Sequence, residues 1–292
     1  MSRSIKFITI LFGLALGASM PSMAAQNLGP TLSKIADKGT ITIGYRESAR
    51  PFAYIGDDGK PAGFSIDICH RIVQNIKDKL DNDDLDIKYV PETPETRIPL
   101  IANGTLDMEC GSTTNTLSRQ EQVDFSYTTF VTGTRLLTKK DSDIEGLDDL
   151  VGHRVGVAPG TTNEKAIMEA IDERGLEDIK ISHYSDHAKG FLALHSGRID
   201  AYSTDDILLF GLISKSDNPD EYEVVGDYLS YDPYAIMLPQ DDSQFRLLVN
   251  KTLVDLFRSG DIEDIYAKWF DPMGVPLSDN LAQLYKFETF PE

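Results

Sequence analysis

Cysteine, tryptophan and histidine are scarce in this chain: two, one and five in 292 residues. Two cysteines are too few for a small fold stapled by disulfides, and no Cys/His spacing forms a metal site of the zinc type. Basic residues are also outnumbered. Lys and Arg total 28 against 47 Asp and Glu, a net charge of −19. That balance suits a soluble protein and repels nucleic acid. No Gly-Lys-Ser/Thr follows a glycine-rich turn, so there is no phosphate loop. No G-x-S-x-G elbow presents a serine, so nothing marks an activated nucleophile. Past residue 24, no apolar run is long enough to cross a bilayer.

The chain starts with Arg3 and Lys6, an apolar run from Phe7 to Leu16, and small residues ending in Ser22-Met23-Ala24. This pattern predicts a secretory signal peptide over 1–24. The run is too short to be a membrane anchor. Its removal leaves material for roughly one to two domains. In an exported protein, Cys69 and Cys110 are expected to bridge. Closing that loop of 41 residues would stabilise the fold by ~4 kcal/mol in the chain-entropy model.

Apolar periodicity alternates between strand and helix. "TITIGY", "LDIKYV", "TLDMEC", "HRVGVAP", "IKISHY" and "RIDAYST" read as strands. "SIDICHRIVQNIKDKL", "RIPLIANG", "TTNEKAIMEAIDERG" and "HAKGFLALHSG" read as helices, and two more, Ser243–Ser259 and Ile262–Phe270, close the chain. The alternation predicts an α/β protein with largely parallel sheets.

One pattern occurs twice. "LIANGTLDMECGS" and "LALHSGRIDAYSTD" each carry a helix end, a glycine, then an apolar-Asp pair opening a strand. Aligning Gly104 with Gly197 pairs Asp107 with Asp200 and Ser112 with Asp205. Two similar α/β lobes would explain this, and so would a common joint recurring by chance. Ligands of open α/β sheets bind beyond the carboxyl ends of the strands. Arg46, Ser112, Thr114, Thr161, Thr162 and Asp205 all fall there.

The stretch "ECGSTTNTLSR" packs hydroxyls, amides and a charge onto a strand end. Buried without partners, such groups cost a few kcal/mol each, roughly. It is therefore an exposed turn or a polar cradle. "GTTNE" has capping-box spacing between Thr161 and Glu164, and a helix start also attracts anions. Arg46, Arg97 and Arg119 each stand near an element end, where arginine can hold a carboxylate through two parallel bonds. Asp205 supplies the opposite charge, and the set suits a zwitterion with an extra carboxylate. His187 opens a helix, and Asp206 reads as a helix start rather than as half of an acid/base pair.

With these residues in view, the chain resembles the periplasmic solute-binding proteins of amino-acid ABC uptake systems, and within them the glutamate/aspartate-binding proteins. "GTITIGYRESARPFAY", "RIPLIANGTLDMECGSTTNTLSRQEQVDFS", "GTRLLTKK", "APGTTNE" and "SGRIDAYSTDD" carry the likeness, which covers nearly all of the chain past 24. The resemblance implies a type II fold: two α/β lobes, 25–136 plus 235–292 and 137–234, joined by two crossing strands. It implies a periplasmic monomer without cofactor that delivers L-glutamate or L-aspartate to an inner-membrane ABC permease. Arg119, Thr114 and Thr162 match positions that hold the ligand α-carboxylate. Ser112 and Asp205 match those for the α-ammonium, and Arg46, Arg97 and His187 those around the side-chain carboxylate. Pro94 departs from the pattern, standing where relatives place a serine, and leaves room for glutamine or asparagine. Two other functions remain open on the same outline: a periplasmic dehydratase of cyclic acids and a receptor sensor domain.

Overall fold

A computed structural model of the protein describes residues 28–291. The expected signal peptide, 1–24, lies outside the described residues. In chain order the elements are α1 (Gly29–Lys38), β1 (Thr40–Arg46), β2 (Ser48–Ala49), β3 (Ala53–Ile55), β4 (Pro61–Ala62), α2 (Phe64–Leu80) and β5 (Asp86–Glu92). Then follow α3 (Arg97–Ala102), β6 (Met108–Glu109), α4 (Leu117–Gln120), β7 (Asp124–Thr132) and β8 (Thr134–Lys139). Next come β9 (Arg154–Val157), α5 (Thr162–Glu173), β10 (Lys180–His183), α6 (His187–His195), β11 (Ala201–Asp205), α7 (Asp206–Ile213) and β12 (Tyr222–Val225). The chain ends with β13 (Asp232–Leu238), α8 (Ser243–Ser259), α9 (Asp261–Phe270) and α10 (Asp279–Phe287).

Two five-stranded sheets organise the molecule, in the orders β5-β1-β6-β13-β7 and β10-β9-β11-β8-β12. The first three strands of each run parallel, and the last two pair antiparallel. The sheets are thus mixed, not largely parallel. In each, the fourth strand has just arrived from the other lobe, which sets its direction. The chain changes sheet at Gly133 and again across 226–231. The expected lobe edges, 136 and 235, fall a few residues inside β8 and β13.

The repeated sequence pattern is a repeated structure. Asp107 and Asp200 stand at equivalent joints, ahead of β6 and β11. The Asp107 carboxylate accepts the Thr42 amide at 2.7 Å, and the Asp200 carboxylate accepts the Arg154 amide at 2.8 Å. Each aspartate also donates its own amide back to that residue's carbonyl, at 2.8 Å in both cases. The neighbouring glycines match too. A Cβ on Gly44 would lie 2.5 Å from Leu106, and one on Gly156 would lie 2.5 Å from Ile199. Glycine lets the apolar residue before each aspartate lie flat on the adjacent strand.

Helix α2 buries Ile68, Cys69, Ile72, Val73 and Ile76 in the core it shares with α8 and α9. That is the apolar stripe at helical spacing that its sequence shows. Cys69 is bridged to Cys110 as expected, with Cα atoms 6.3 Å apart. The bridge ties α2 to the strand end beside "GSTTN". An aromatic cluster of Phe52, Phe64, Phe130, Tyr234 and Phe270 fills the first lobe. Ile207 and Leu208 of α7 join this core although their helix belongs to the second lobe. No helix among the described residues is long and apolar enough to cross a membrane.

Candidate functional site

The loop after β6 answers the question its polarity raises. It is neither exposed nor unsupported. Thr113 accepts the Ala235 amide, Asn115 donates to the Pro233 carbonyl, and Thr114 bridges Tyr234, so the loop lies along β13 like a short extra strand. Thr116 then caps α4, accepting the Arg119 amide at 3.2 Å. The one-turn helix returns Arg119 to the loop, where its guanidinium donates to the Thr114 carbonyl at 2.7 Å.

The second lobe brings the start of α5. Thr161 caps it, accepting the Glu164 amide at 3.0 Å, while the Glu164 carboxylate accepts the Gly160 amide at 3.0 Å. The following Asn163 donates to Asp205 at 2.9 Å and to Thr134 at 2.7 Å. His187 opens α6 under an Asp186 cap, and its Nδ1 lies 3.0 Å from the Tyr202 hydroxyl.

The lobes meet across this site. The Thr114 and Thr162 hydroxyls are 3.1 Å apart, Arg119 donates to the Gly160 carbonyl at 3.2 Å, and the Tyr234 hydroxyl donates to the Asp205 carboxylate. Between them lies a small cavity, lined by Arg46, Arg97, Ser112 and Thr114 from the first lobe and, opposite them, Thr162, His187 and Asp205. Seven of the eight expected residues therefore line one cavity. The eighth, Arg119, is buried directly behind Thr114. Thr161, Asn163 and Leu208 complete the lining. Asn163 was within reach of sequence reading, since it sits in "GTTNE". Leu208 was not, because nothing local says that α7 faces the other lobe. Pro94 is buried in the turn before α3 and offers no hydroxyl.

The charges are arranged in two ends. At one end Arg46 and Arg97 are each 2% exposed. Arg46 Nη2, Arg97 Nε and Ser112 Oγ are buried without a hydrogen-bond partner. Such donors cost about 1–3 kcal/mol each when unsatisfied, more when charged. Burial, with the charge of Arg97 adding to it, holds both the Arg46 and Arg119 guanidinia below their ordinary values. Burial, then Arg46 and Arg97, pushes His187 well below its own, so the ring is neutral near pH 7. At the other end, burial and the charge of Asp232 raise Asp205 well above the usual carboxylate range. One end thus favours an incoming anion and the other an incoming cation.

Two carboxyls behind the arginines were not anticipated. Glu92 and Glu109 are buried, with Glu92 Oε1 3.8 Å from Arg46 Nε. Thr113 accepts from Arg97 at 2.7 Å and donates to Glu109 at 2.7 Å. Burial, then the neighbouring Glu109, raises Glu92 to about 8, and burial raises Glu109 as well. Among the described residues no group of His, Cys, Asp and Glu is placed to hold a metal.

Comparison with known proteins identifies the family. The profile of the bacterial extracellular solute-binding proteins, family 3, matches residues 41–272. The chain is 42% identical over 288 residues to a glutamate/aspartate import solute-binding protein of Escherichia coli K12, covering 95% of each. It is 41% identical over 271 residues to the L-glutamate/L-aspartate-binding protein of Pseudomonas aeruginosa PAO1, covering 90% of this chain and 89% of that one. Among solved structures, an ancestral arginine-binding protein bound to glutamine superposes with a TM-score of 0.71 at 29% identity, covering 80% of this chain and 98% of that one. Two α/β lobes crossed twice by the chain are the type II architecture of such proteins. The chain belongs to the bacterial extracellular solute-binding proteins of family 3.

Proposed function

We propose that the protein captures L-glutamate or L-aspartate between its lobes in the periplasm and hands it to an ABC permease. One observation carries this reading. Buried arginine donors without partners stand at one end of a closed cavity, and a buried aspartate stands at the other. A dicarboxylic amino acid supplies acceptors for the unpartnered arginine donors and a cation for the aspartate. Arg119, Thr114 and Thr162 would take the α-carboxylate, the last from the start of α5, where free N–H groups and the helix dipole favour an anion. Ser112 and Asp205 would take the α-ammonium, whose charge returns Asp205 to its ionised form. Arg46, Arg97 and neutral His187 would take the distal carboxylate. The named relatives are binding proteins, and we read this chain likewise as binding without turnover. The lobes bounding the cavity are taken as 28–133 plus 232–291 and 134–225.

Calorimetric titration of ligand-stripped protein with L-glutamate, L-aspartate, L-glutamine and L-asparagine tests the reading. The two acids should bind at least about tenfold tighter than the amides, a difference of ~1.4 kcal/mol. Equal binding of acids and amides would leave a broader amino-acid site, with Pro94 the first position to change. No binding of any of the four would overturn the amino-acid reading.

A further inference from the structure

We infer that Glu92 and Glu109 share one proton behind the arginines, and that this proton makes the distal end of the cleft prefer a carboxylate over an amide. The inference rests on the proposed glutamate/aspartate reading and assigns specificity to two residues that do not line the cavity.

β1 lies between β5 and β6, pairing Arg46 with Glu92 on one side and Gly44 with Glu109 on the other. A Cβ built on Gly44 would lie 3.6 Å from the Cγ atoms of both glutamates. The two stems therefore converge over the glycine from opposite strands, which sets the two carboxyls side by side. The groups facing them are Arg46 from β1, Arg97 from α3, Arg119 from α4, and Thr113 from the loop after β6.

Satisfaction of the oxygens points the same way. Both oxygens of Glu92 and Oε1 of Glu109 are buried with no donor in bond reach. Arg46 Nε, at 3.8 Å, is too far for a hydrogen bond. Two adjacent ionised carboxylates would leave three buried acceptors empty and repel one another. A single proton turns one carboxyl into a donor to the other, as in other close carboxyl pairs.

Charge bookkeeping then sets specificity. With one proton on the pair, Arg46 and Arg97 face a single negative charge and the distal end keeps one positive charge. An anionic side chain neutralises it, whereas an amide leaves it uncompensated. With the pair fully ionised, the end is neutral before any ligand arrives, and the advantage of the anion is gone. Bound glutamate adds negative charge beside the pair and tightens its hold on the proton. Glutamate binding should therefore take up protons, and glutamine binding should not.

The test is titration calorimetry of the full chain with L-glutamate and L-glutamine at several pH values, in buffers of different ionisation enthalpy that count protons. Between about pH 7 and about pH 8.5 the wild type should take up a fraction of a proton per glutamate and none per glutamine. Its preference for glutamate over glutamine should fall by roughly threefold to fivefold over that span, within the limit of tenfold per pH unit for one proton. E92Q mimics the protonated carboxyl. It should bind glutamate at pH 7 within about threefold of wild type and show no proton uptake. A merely structural role for Glu92 would lower affinity without moving the pH profile. Wild-type glutamate binding without proton uptake sinks this inference alone, and so does uptake that survives in both E92Q and E109Q. Absence of glutamate binding at every pH removes the transport reading and this inference with it.

Discussion

The hydroxyls of Thr114 and Thr162 lie 3.1 Å apart across the cleft. One belongs to the loop after β6 and the other to the first turn of α5, so the two lobes touch at the cavity mouth. Thr114 also donates to Asp232 at 2.9 Å, at the start of the strand that returns from the second lobe. One side chain thus contacts both the opposite lobe and the crossing. Several consequences can be measured.

Arg97 should discriminate side chains. R97Q removes a charge next to the distal site and should weaken glutamate by about 1.5–3 kcal/mol, the scale of a charged hydrogen bond. Glutamine should lose far less. Calorimetry of both ligands gives the comparison, and equal losses would count against the assigned role. A melting curve on the same sample controls for the lost bond from Arg97 to Thr113.

Asp205 should not discriminate. D205N keeps the shape and removes the charge proposed for the α-ammonium. All four amino acids should weaken together, each by an order of magnitude or so on the same charged-bond scale. A loss confined to the acids would place Asp205 at the wrong end of the ligand.

Gly211 tests closure without touching the ligand. A Cβ there would lie 2.2 Å from the Arg50 carbonyl oxygen, which belongs to the opposite lobe. G211A should favour α7 itself by roughly 0.8–1 kcal/mol of helix propensity while excluding the closed form. Affinity for every ligand should drop about tenfold or more, as the competent population shrinks. Small-angle scattering with saturating glutamate should show a larger radius of gyration than wild type. An unchanged radius and affinity would show that α7 shifts to make room.

Stability should depend on pH through Glu92. Its carboxyl sits at about 8 in the folded chain against an ordinary value of 4.5. The folded state then holds a proton that the unfolded chain releases above 4.5. This contribution is complete below that value and is lost as pH rises through about 8. The urea midpoint of the wild type should decline over that window, and that of E92Q should decline less. Parallel curves for the two proteins would rule out Glu92 as the source.

Reduction of the Cys69–Cys110 bridge should destabilise the chain by up to ~4 kcal/mol, or roughly 8–16 °C in melting temperature at 2–4 °C per kcal/mol. Calorimetric scans with and without reductant check this. An unchanged melting temperature would mean that α2 and the β6 end hold together by packing alone.

The helices were largely legible because their signal is local. The stripe of α8 and the spacing of its ends fix Ser243–Ser259 from sequence alone. The strand predicted over Thr105–Cys110 shrinks to Met108–Glu109, since the Thr42 amide goes to the Asp107 side chain instead of a strand carbonyl. Among the cavity-lining residues, Arg46, Ser112, Thr114 and Asp205 could be picked out because strand ends are marked locally, whereas Arg97, Thr162 and His187 were singled out by helix starts and by the family resemblance. Glu92, Glu109 and Tyr234 were not, since their meaning depends on which strands lie side by side. Glu92 faces Arg46 only through the register of β5 on β1. Leu208 escaped for a similar reason, its burial being decided by a lobe to which it does not belong.

The position of β13 has a bearing on how the chain assembles. It sits between β6 and β7, and among the described residues β7 pairs only with it. The second sheet is complete once synthesis passes Val225, whereas the first must wait for 232–238 before its outermost strand has a neighbour. A chain emerging from its N-terminus would finish the inner lobe first and hold the outer one open, with Phe130 on β7 and Tyr234 on β13 meeting late. Such distant pairings are slow to close. Pulse-labelled hydrogen exchange during refolding should find the amides of β8, β9 and β11 protected before those of β7, and the reverse order would refute this sequence of events. The part of the protein made first would then be among the last to become solid.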